Sequence, residues 1–470
     1  MLAAAHKSSG KTTISLGVCA ALSEAGIKVQ AFKKGPDYID PMWLGQASGR
    51  PCYNLDFHTQ TEEEITALFQ GHAAGADITF IEGNMGLFDS LDVAGTQSNA
   101  SLAKQLNTPV VLIIDAKGAT RSLVPVVQGM RAFDPGLNIA GLILNKVAGQ
   151  RHEQRLREVF SHYCPELPVL GCVHRDEALN IDERHLGLIP SNEAATAQQL
   201  LTQIGQVIAE HIDLDALQSL AHQAAALPPC HKPRAELASQ RSPSLKLAIA
   251  QDAAFGFYYP DDLQALADLG VELVPFDTLH DQALPEGCDA LFIGGGFPET
   301  QMTALAANHQ MRASIKSAIE AGLPSYAECG GMMYLCRTLR WGNQQAEMVG
   351  VIPADCVMHE KPVGRGYALI QEGAASPWPE RPAGTRAVHE FHYSSLENIA
   401  PGLQYAYTLQ RGYGIADRRD GLVYKNLLAS YVHQRQGQCN PWISRFVAFI
   451  HAQRDAHQRT TQVLSQPPFL

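Results

Sequence analysis

The chain has 470 residues, 46% hydrophobic and 18% charged, a globular balance that excludes disordered, collagen-like and coiled-coil chains. Its 36 Lys and Arg against 47 Asp and Glu leave a formal charge of −11, so nucleic acid is not expected as a main partner. The longest strongly apolar run, Val110–Ile114, is far short of the ~20 residues of a membrane span, and no charged segment followed by a long apolar run marks a leader, which points to the cytoplasm. Short β-branched runs alternate with helical stretches from the start. Lys28–Phe32, Ile78–Glu82, Val110–Asp115 and Ile139–Asn145 are apolar on both faces, the pattern of strands in a parallel sheet covered by helices. The pattern fades over Ala224–Ser244, where prolines and charges replace periodic apolar residues, and a second series follows at Leu245–Ala250, Glu272–Pro275, Ala290–Ile293 and Pro324–Ala327.

The fold expected is therefore two tandem α/β domains: residues 1–224, a linker over 225–244, a second domain over 245–455, and a polar, loose tail over 456–470. Only Met1–Ala4 precede the first loop, fewer than the about 5–6 residues of an ordinary strand. A longer upstream form is expected, and expected to be more stable. The ten cysteines include no Cys-x-x-Cys pair, so free thiols are expected rather than a zinc knuckle or redox dithiol.

Residues 5–13 read Ala-His-Lys-Ser-Ser-Gly-Lys-Thr-Thr, the phosphate-loop pattern G-x-x-x-x-G-K-[ST] with Ala5 at its first glycine. Such a turn points backbone N–H groups at phosphate oxygens, Lys11 supplies a cation, and the Thr12 hydroxyl is placed to ligate Mg²⁺. The plainer alternative is a Ser/Gly turn that only caps the following helix. Two acidic segments follow strand candidates: Lys33-Lys34-Gly35-Pro36-Asp37-Tyr38-Ile39-Asp40, and Glu82 through Asp89. Carboxylates at the C-terminal ends of parallel strands project into the crevice where a metal–nucleotide complex would lie, although each could also be a solvated loop acid. Lys33 and Lys34 read either as an exposed pair or as cations for an anionic substrate. Asn145, ending another strand, could read a base edge.

Ser325-Tyr326-Ala327 run into Glu328-Cys329-Gly330-Gly331 and then a helix, the layout of a nucleophile elbow, where the helix N-terminus would favour thiolate. The loop Gly294-Gly295-Gly296 could supply donors for an oxyanion. His433, at the end of a strand-like run, is the candidate base. Two residues on, where a triad would carry an orienting carboxylate, stands Arg435, so a Cys–His dyad is expected. His389 and His392 lie on one strand, and two ligands do not close a metal site; substrate contact or packing is the expectation there.

Together AHKSSGKTT, FKKGPDYIDP, IEGNMGLFD, ERHLGL, AFGFYYPDDL, GGGFPE, AECGGMMYL, HEFHYS and NLLASYVH resemble the cobyrinic acid a,c-diamide synthase family over almost the entire chain. The resemblance implies an N-terminal P-loop domain of the dethiobiotin-synthetase type and a C-terminal class I glutamine amidotransferase domain. It implies that Cys329 attacks glutamine and that His433 raises its nucleophilicity; Gly295, Gly296 and Gly330, from the glycine loop and the elbow, are the residues expected to bind glutamine or the oxyanion. Gly10, Lys11, Thr12 and Thr13 carry over as nucleotide contacts for ATP, which Asn145 joins from its own place at a strand end, and Asp37 and Glu82 carry over as the acids of a Mg²⁺ site that the Thr12 hydroxyl shares. Tyr38, Asp40 and Asp89 carry over as substrate or activation residues. A carboxylate is a poor electrophile until its oxygen becomes a good leaving group, so ATP-driven acyl-phosphate formation followed by attack of ammonia fits both halves. Departures from the family's usual pattern are Ala5, Asn84 and the Gln434-Arg435 pair after His433. Cobyrinate is the first acceptor, with hydrogenobyrinate, nickel-sirohydrochlorin and sirohaem as alternatives. Glutamine and a tetrapyrrole acid are the expected partners, and a homodimer stays open. A nucleotide-switch ATPase with a ligand-binding second domain, and a thiol hydrolase with an accessory ATP domain, are the competing readings.

Overall fold

The computed structural model describes residues 1–179, 181, 183–184, 187–192, 196–229 and 245–464. The chain forms two compact units, Met1–Pro233 and Arg234–Leu470. Most of the expected linker, 230–244, lies outside the described residues, as do residues 465–470 of the expected tail.

The first unit is built on a seven-stranded, wholly parallel sheet: β1 (Leu2–Ala4), β2 (Val29–Lys34), β3 (Tyr53–Leu55), β4 (Ile78–Glu82), β5 (Val110–Asp115), β6 (Ile139–Val147) and β7 (Val169–His174), in the spatial order β3-β2-β4-β1-β5-β6-β7. Side chains alternate across a strand, and here both faces are covered. Leu112, Ile114, Leu142 and Leu144 pack into one apolar cluster, while Val111, Ile113 and Ile143 pack into another with Leu16 of helix α1 (Lys11–Glu24). This double coverage explains why the strands read as unbroken apolar runs. Because β1 lies between β4 and β5, with β2 next to β4, the loops leaving β1, β2 and β4 emerge side by side at one end of the sheet. Strands β3 and β7 were not among the sequence expectations; β3 spans only three residues.

The second unit carries a nine-stranded mixed sheet. Strands Val271–Phe276, Leu245–Ala250, Ala290–Ile293, Ser325–Glu328 and Leu427–Ser430 lie side by side and parallel. Antiparallel strands Arg419–Tyr424, Gln404–Arg411, Gly364–Glu372 and Thr385–His392 extend it. The last helix, Trp442–Leu464, runs into the segment expected to be a loose tail: Trp442, Ile443, Phe446 and Ile450 bury one apolar stripe against the sheet and carry the helix beyond residue 456. No described helix is long and apolar enough to cross a membrane, and the nine described cysteines are free.

Candidate active site

In the first unit the phosphate-type loop joins β1 to α1. Its left-handed residues are Ser8 (φ 64°) and Gly10 (φ 86°), so Ala5 needs no glycine-only conformation and replaces the usual glycine without backbone strain. Gly10 is required twice over, because a Cβ there would lie 2.1 Å from Asn145 Nδ2. Asn145 Nδ2 donates to the Ser9 carbonyl at 2.8 Å, and Lys146 Nζ donates to the Ser8 carbonyl at 2.8 Å. The end of β6 thus braces the loop, and the Asn145 amide nitrogen is engaged with backbone. Lys11 opens α1, is buried, and donates to the Met85 carbonyl at 2.7 Å. Burial lowers its pKa, against the pull of Glu82. Thr13 follows, half-buried, on the first turn.

The acids expected after β2 and β4 do converge on this loop. Thr12 Oγ1 lies 2.8 Å from Glu82 Oε1 and 3.3 Å from Asp40 Oδ2. Lys33 Nζ bridges the same two carboxylates, at 2.7 Å from Glu82 and 2.5 Å from Asp40. Lys33 is 5% and Glu82 0% exposed, which excludes a surface Lys33–Lys34 pair. Burial would lower the Lys33 pKa, but Asp40, Glu82 and Asp37 outweigh it and raise it well above the usual lysine range. Asp37 caps helix α2 (Ile39–Ser48), its Oδ1 accepting the amides of Ile39 and Asp40. Desolvation and the neighbouring Asp40 push its carboxyl up to about 7, against Lys33. Tyr38 is the residue preceding α2, half-buried. Asp89 is exposed and accepts the Gly86 amide at 2.8 Å, within electrostatic range of Lys11.

Replacing Lys33 by alanine would leave the Glu82 charge buried and unpaired, so the first unit should lose about 3 kcal/mol or more, read by chemical denaturation at neutral pH. The loss should shrink as pH falls. Burial holds the folded-state pKa of Glu82 and Asp37 above their unfolded values, so protonation favours the folded state and removes the unpaired charge.

Glu82 Oε2 is buried without a hydrogen-bond partner among the described residues, an acceptor suited to a cation. No group of three His, Cys, Asp or Glu side chains able to hold a metal occurs among the described residues. The orphaned Glu82 oxygen suits a magnesium ion held by a few protein oxygens and completed by phosphate and water.

In the second unit Cys329 stands at φ 47°, ψ −106°, between the strand Ser325–Glu328 and the helix Gly330–Leu335. This strained turn is the expected elbow. Its surroundings are backbone against backbone. A Cβ on Gly330 would lie 2.7 Å from the Gly296 carbonyl, one on Gly331 2.1 Å from the Ile293 carbonyl, and one on Gly296 2.0 Å from the Ala254 carbonyl. The glycine loop 294–296 therefore packs directly on the elbow, bringing together the residues expected to bind glutamine.

His433 is buried and within electrostatic range of Cys329, whose Sγ lies 3.8 Å from the Phe391 carbonyl oxygen. Its backbone exchanges two hydrogen bonds with His389, at 2.7 and 3.2 Å, which anchors it to the strand Thr385–His392. His392 packs: Nδ1 meets the Ser394 carbonyl at 2.7 Å, Nε2 meets Glu390 at 3.0 Å, and the ring stacks on Tyr431 at 3.7 Å.

The expected bare dyad is corrected. Arg435 is turned away, paired with Asp261 at 2.9 Å and lying over Tyr259. The carboxylate comes from the other side of the thiol: Glu328 Oε2 lies 3.3 Å from His433 Nδ1. Nothing in the sequence flagged Glu328 beyond its adjacency to Cys329.

Gly295 backs the imidazole, since a Cβ there would lie 2.7 Å from His433 Cε1. Gly295→Ala adds no backbone strain but pushes the ring, so glutamine hydrolysis should fall by about tenfold or more in kcat, measured by ammonia release.

Comparison with known proteins covers both units. The family model of the CobQ/CobB/MinD/ParA nucleotide binding domain matches residues 1–189, and that of the CobB/CobQ-like glutamine amidotransferase domain matches residues 246–439. A cobyrinate a,c-diamide synthase of Magnetococcus marinus is 44% identical over 95% of this chain and 96% of its own. Proteins of the same name from Synechocystis and Listeria monocytogenes are 36% and 38% identical, over 100% and 92% of this chain and 96% and 95% of their own. Identity of this depth along nearly the full length of each partner shows that the protein belongs to the cobyrinate a,c-diamide synthase family.

Proposed function

We propose that the chain is a glutamine-hydrolysing, ATP-dependent ligase that amidates the a and c side-chain carboxylates of cobyrinate, the activity for which its relatives are named. The observation that carries the reading is the pairing, on one chain, of a Cys329 elbow beside the buried His433 with a braced phosphate loop facing Thr12, Glu82 and Asp40. A pure nucleotide switch has no use for the thiol.

In the second unit, the Cys329 sulfur attacks the carboxamide carbon of glutamine and the thiol proton passes to His433. The carbon–nitrogen bond breaks as His433 returns that proton to the leaving nitrogen, giving ammonia and a γ-glutamyl thioester. Water then hydrolyses the thioester to glutamate and restores the thiol. Gly295, Gly296 and Gly330 line the carbonyl with backbone.

In the first unit, Gly10, Lys11, Thr12 and Thr13 would hold the phosphates of ATP, with Asn145 beside them, and Thr12, Asp37 and Glu82 would hold Mg²⁺. ATP with magnesium supplies the phosphoryl group that converts a substrate carboxylate into an acyl phosphate, from which ammonia displaces phosphate to leave the amide. Tyr38, Asp40 and Asp89 are assigned to the acceptor. Lys34 offsets negative charge that the substrates bring, while Lys33 holds Glu82 and Asp40 in place; burial lowers the Lys34 pKa to about 8, with Asp56 opposing.

The test is to incubate the full chain with cobyrinate, ATP, magnesium and glutamine, and to follow amides by mass spectrometry together with glutamate and ADP. ATP hydrolysis without ammonia release from glutamine would favour a nucleotide switch. Amides formed on a sirohaem-type acid but not on cobyrinate would change the acceptor. The cytoplasm is the compartment we assign, and sedimentation would decide whether the enzyme is a homodimer.

A further inference from the structure

We propose that Glu328, immediately before the nucleophile, is the positioning carboxylate of the glutaminase, fixing the ring and the tautomer of His433. The proposal rests on the glutaminase reading of Cys329 and His433.

Strand pairing creates the contact. Ser325–Glu328 and Leu427–Ser430 run parallel with Glu328 opposite Ser430, so residues 328–329 and 431–434 leave the sheet side by side although 105 positions separate Glu328 from His433. The carboxylate is pinned at both oxygens. Oε1 accepts the Tyr326 hydroxyl at 2.6 Å and the Gln434 amide at 2.8 Å, while Oε2 faces His433 Nδ1 at 3.3 Å. The Glu328 and His433 side chains are 4% and 3% exposed, so the interaction is little screened by water. Tyr326 is itself held by Gln434 Nε2 at 3.1 Å. Gly295 closes on the ring at Cε1.

A carboxylate acceptor at Nδ1 keeps a proton there and leaves Nε2 to accept a second one from the thiol, so that the ring is held as the imidazolium that a carboxylate stabilises. Burial lowers the His433 pKa, but Cys329 and Glu328 outweigh it and raise it to about 10. The other titratable groups nearby are His389, its ring centred 6.2 Å from that of His433, and Tyr326, Tyr258 and Asp262 around Glu328. His433 Nδ1 is in hydrogen-bond contact with Glu328, whereas Arg435, at the position where a triad carboxylate was sought, is committed to Asp261.

Glu328→Gln keeps size and hydrogen-bonding capacity but presents an amide that favours the wrong tautomer. The expected result is a fall of about 10²-fold or more in kcat for glutamine hydrolysis, with KM within about threefold of wild type and ammonium-driven amidation retained. Alkylation of Cys329 by a glutamine-mimicking diazo ketone should also begin at higher pH, because the imidazolium loses its carboxylate. Glu328→Asp should recover part of kcat. Wild-type kcat and an unmoved alkylation profile in Glu328→Gln would overturn the proposal. If Glu328→Gln fails to fold, Glu328→Asp and Tyr326→Phe decide: graded losses in kcat at constant KM support the proposal, and wild-type kcat in both ends it. Wild-type protein that released no ammonia from glutamine would instead overturn the glutaminase reading itself.

Discussion

Cys329→Ala is expected to lower glutamine-driven amidation by about 10³-fold or more, while amidation driven by high ammonium stays within about threefold of wild type. The reason is local. Cys329 alone presents a nucleophile at the left-handed turn, beside His433, and alanine removes the sulfur while keeping the Cβ and the backbone of the elbow. The phosphate loop and its acids belong to the first unit and make no use of that thiol. Parallel assays with the two nitrogen sources check the prediction; loss of both activities would contradict two chemically separate sites.

Lys11→Ala should lower ATP-dependent amidation by about 10²-fold or more with either nitrogen source, and should leave the melting transition in place. Lys11 is buried, its charge opposed by desolvation, and its hydrogen bond goes to the uncharged Met85 carbonyl. Such a cation adds little to the stability of the empty protein and gains its partner when a phosphate arrives. Amidation kinetics with a thermal melt measure both halves of the statement. An unchanged amidation rate would exclude Lys11 from the phosphate site.

What was legible in the sequence follows from physics that acts locally. β4, β5 and the strand Ala290–Ile293 lie at the expected residues because a strand covered on both faces must be apolar throughout, and the phosphate loop was visible because glycine, lysine and threonine are needed at fixed spacing. The antiparallel half of the second sheet was not, apart from the strand that carries His389 and His392. Gly364–Glu372 and Gln404–Arg411 each expose one face and carry Arg, Gln and Thr there, so their apolar residues are too sparse to announce a strand. Lys33 could be read either way until β2 was seen to bury it between Glu82 and Asp40. Glu328 was silent for another reason: its partner lies 105 residues away, and only the pairing of two strand ends brings them together.

The seam formed by Gly296, Gly330 and Gly331 has a further consequence. No methyl group fits anywhere along it, so no single substitution can reshape the pocket there without first parting two loops. On the proposed assignment of the sites, the nitrogen donor is thereby fixed by the architecture itself, and a change of acceptor falls to the loops that follow β1, β2 and β4.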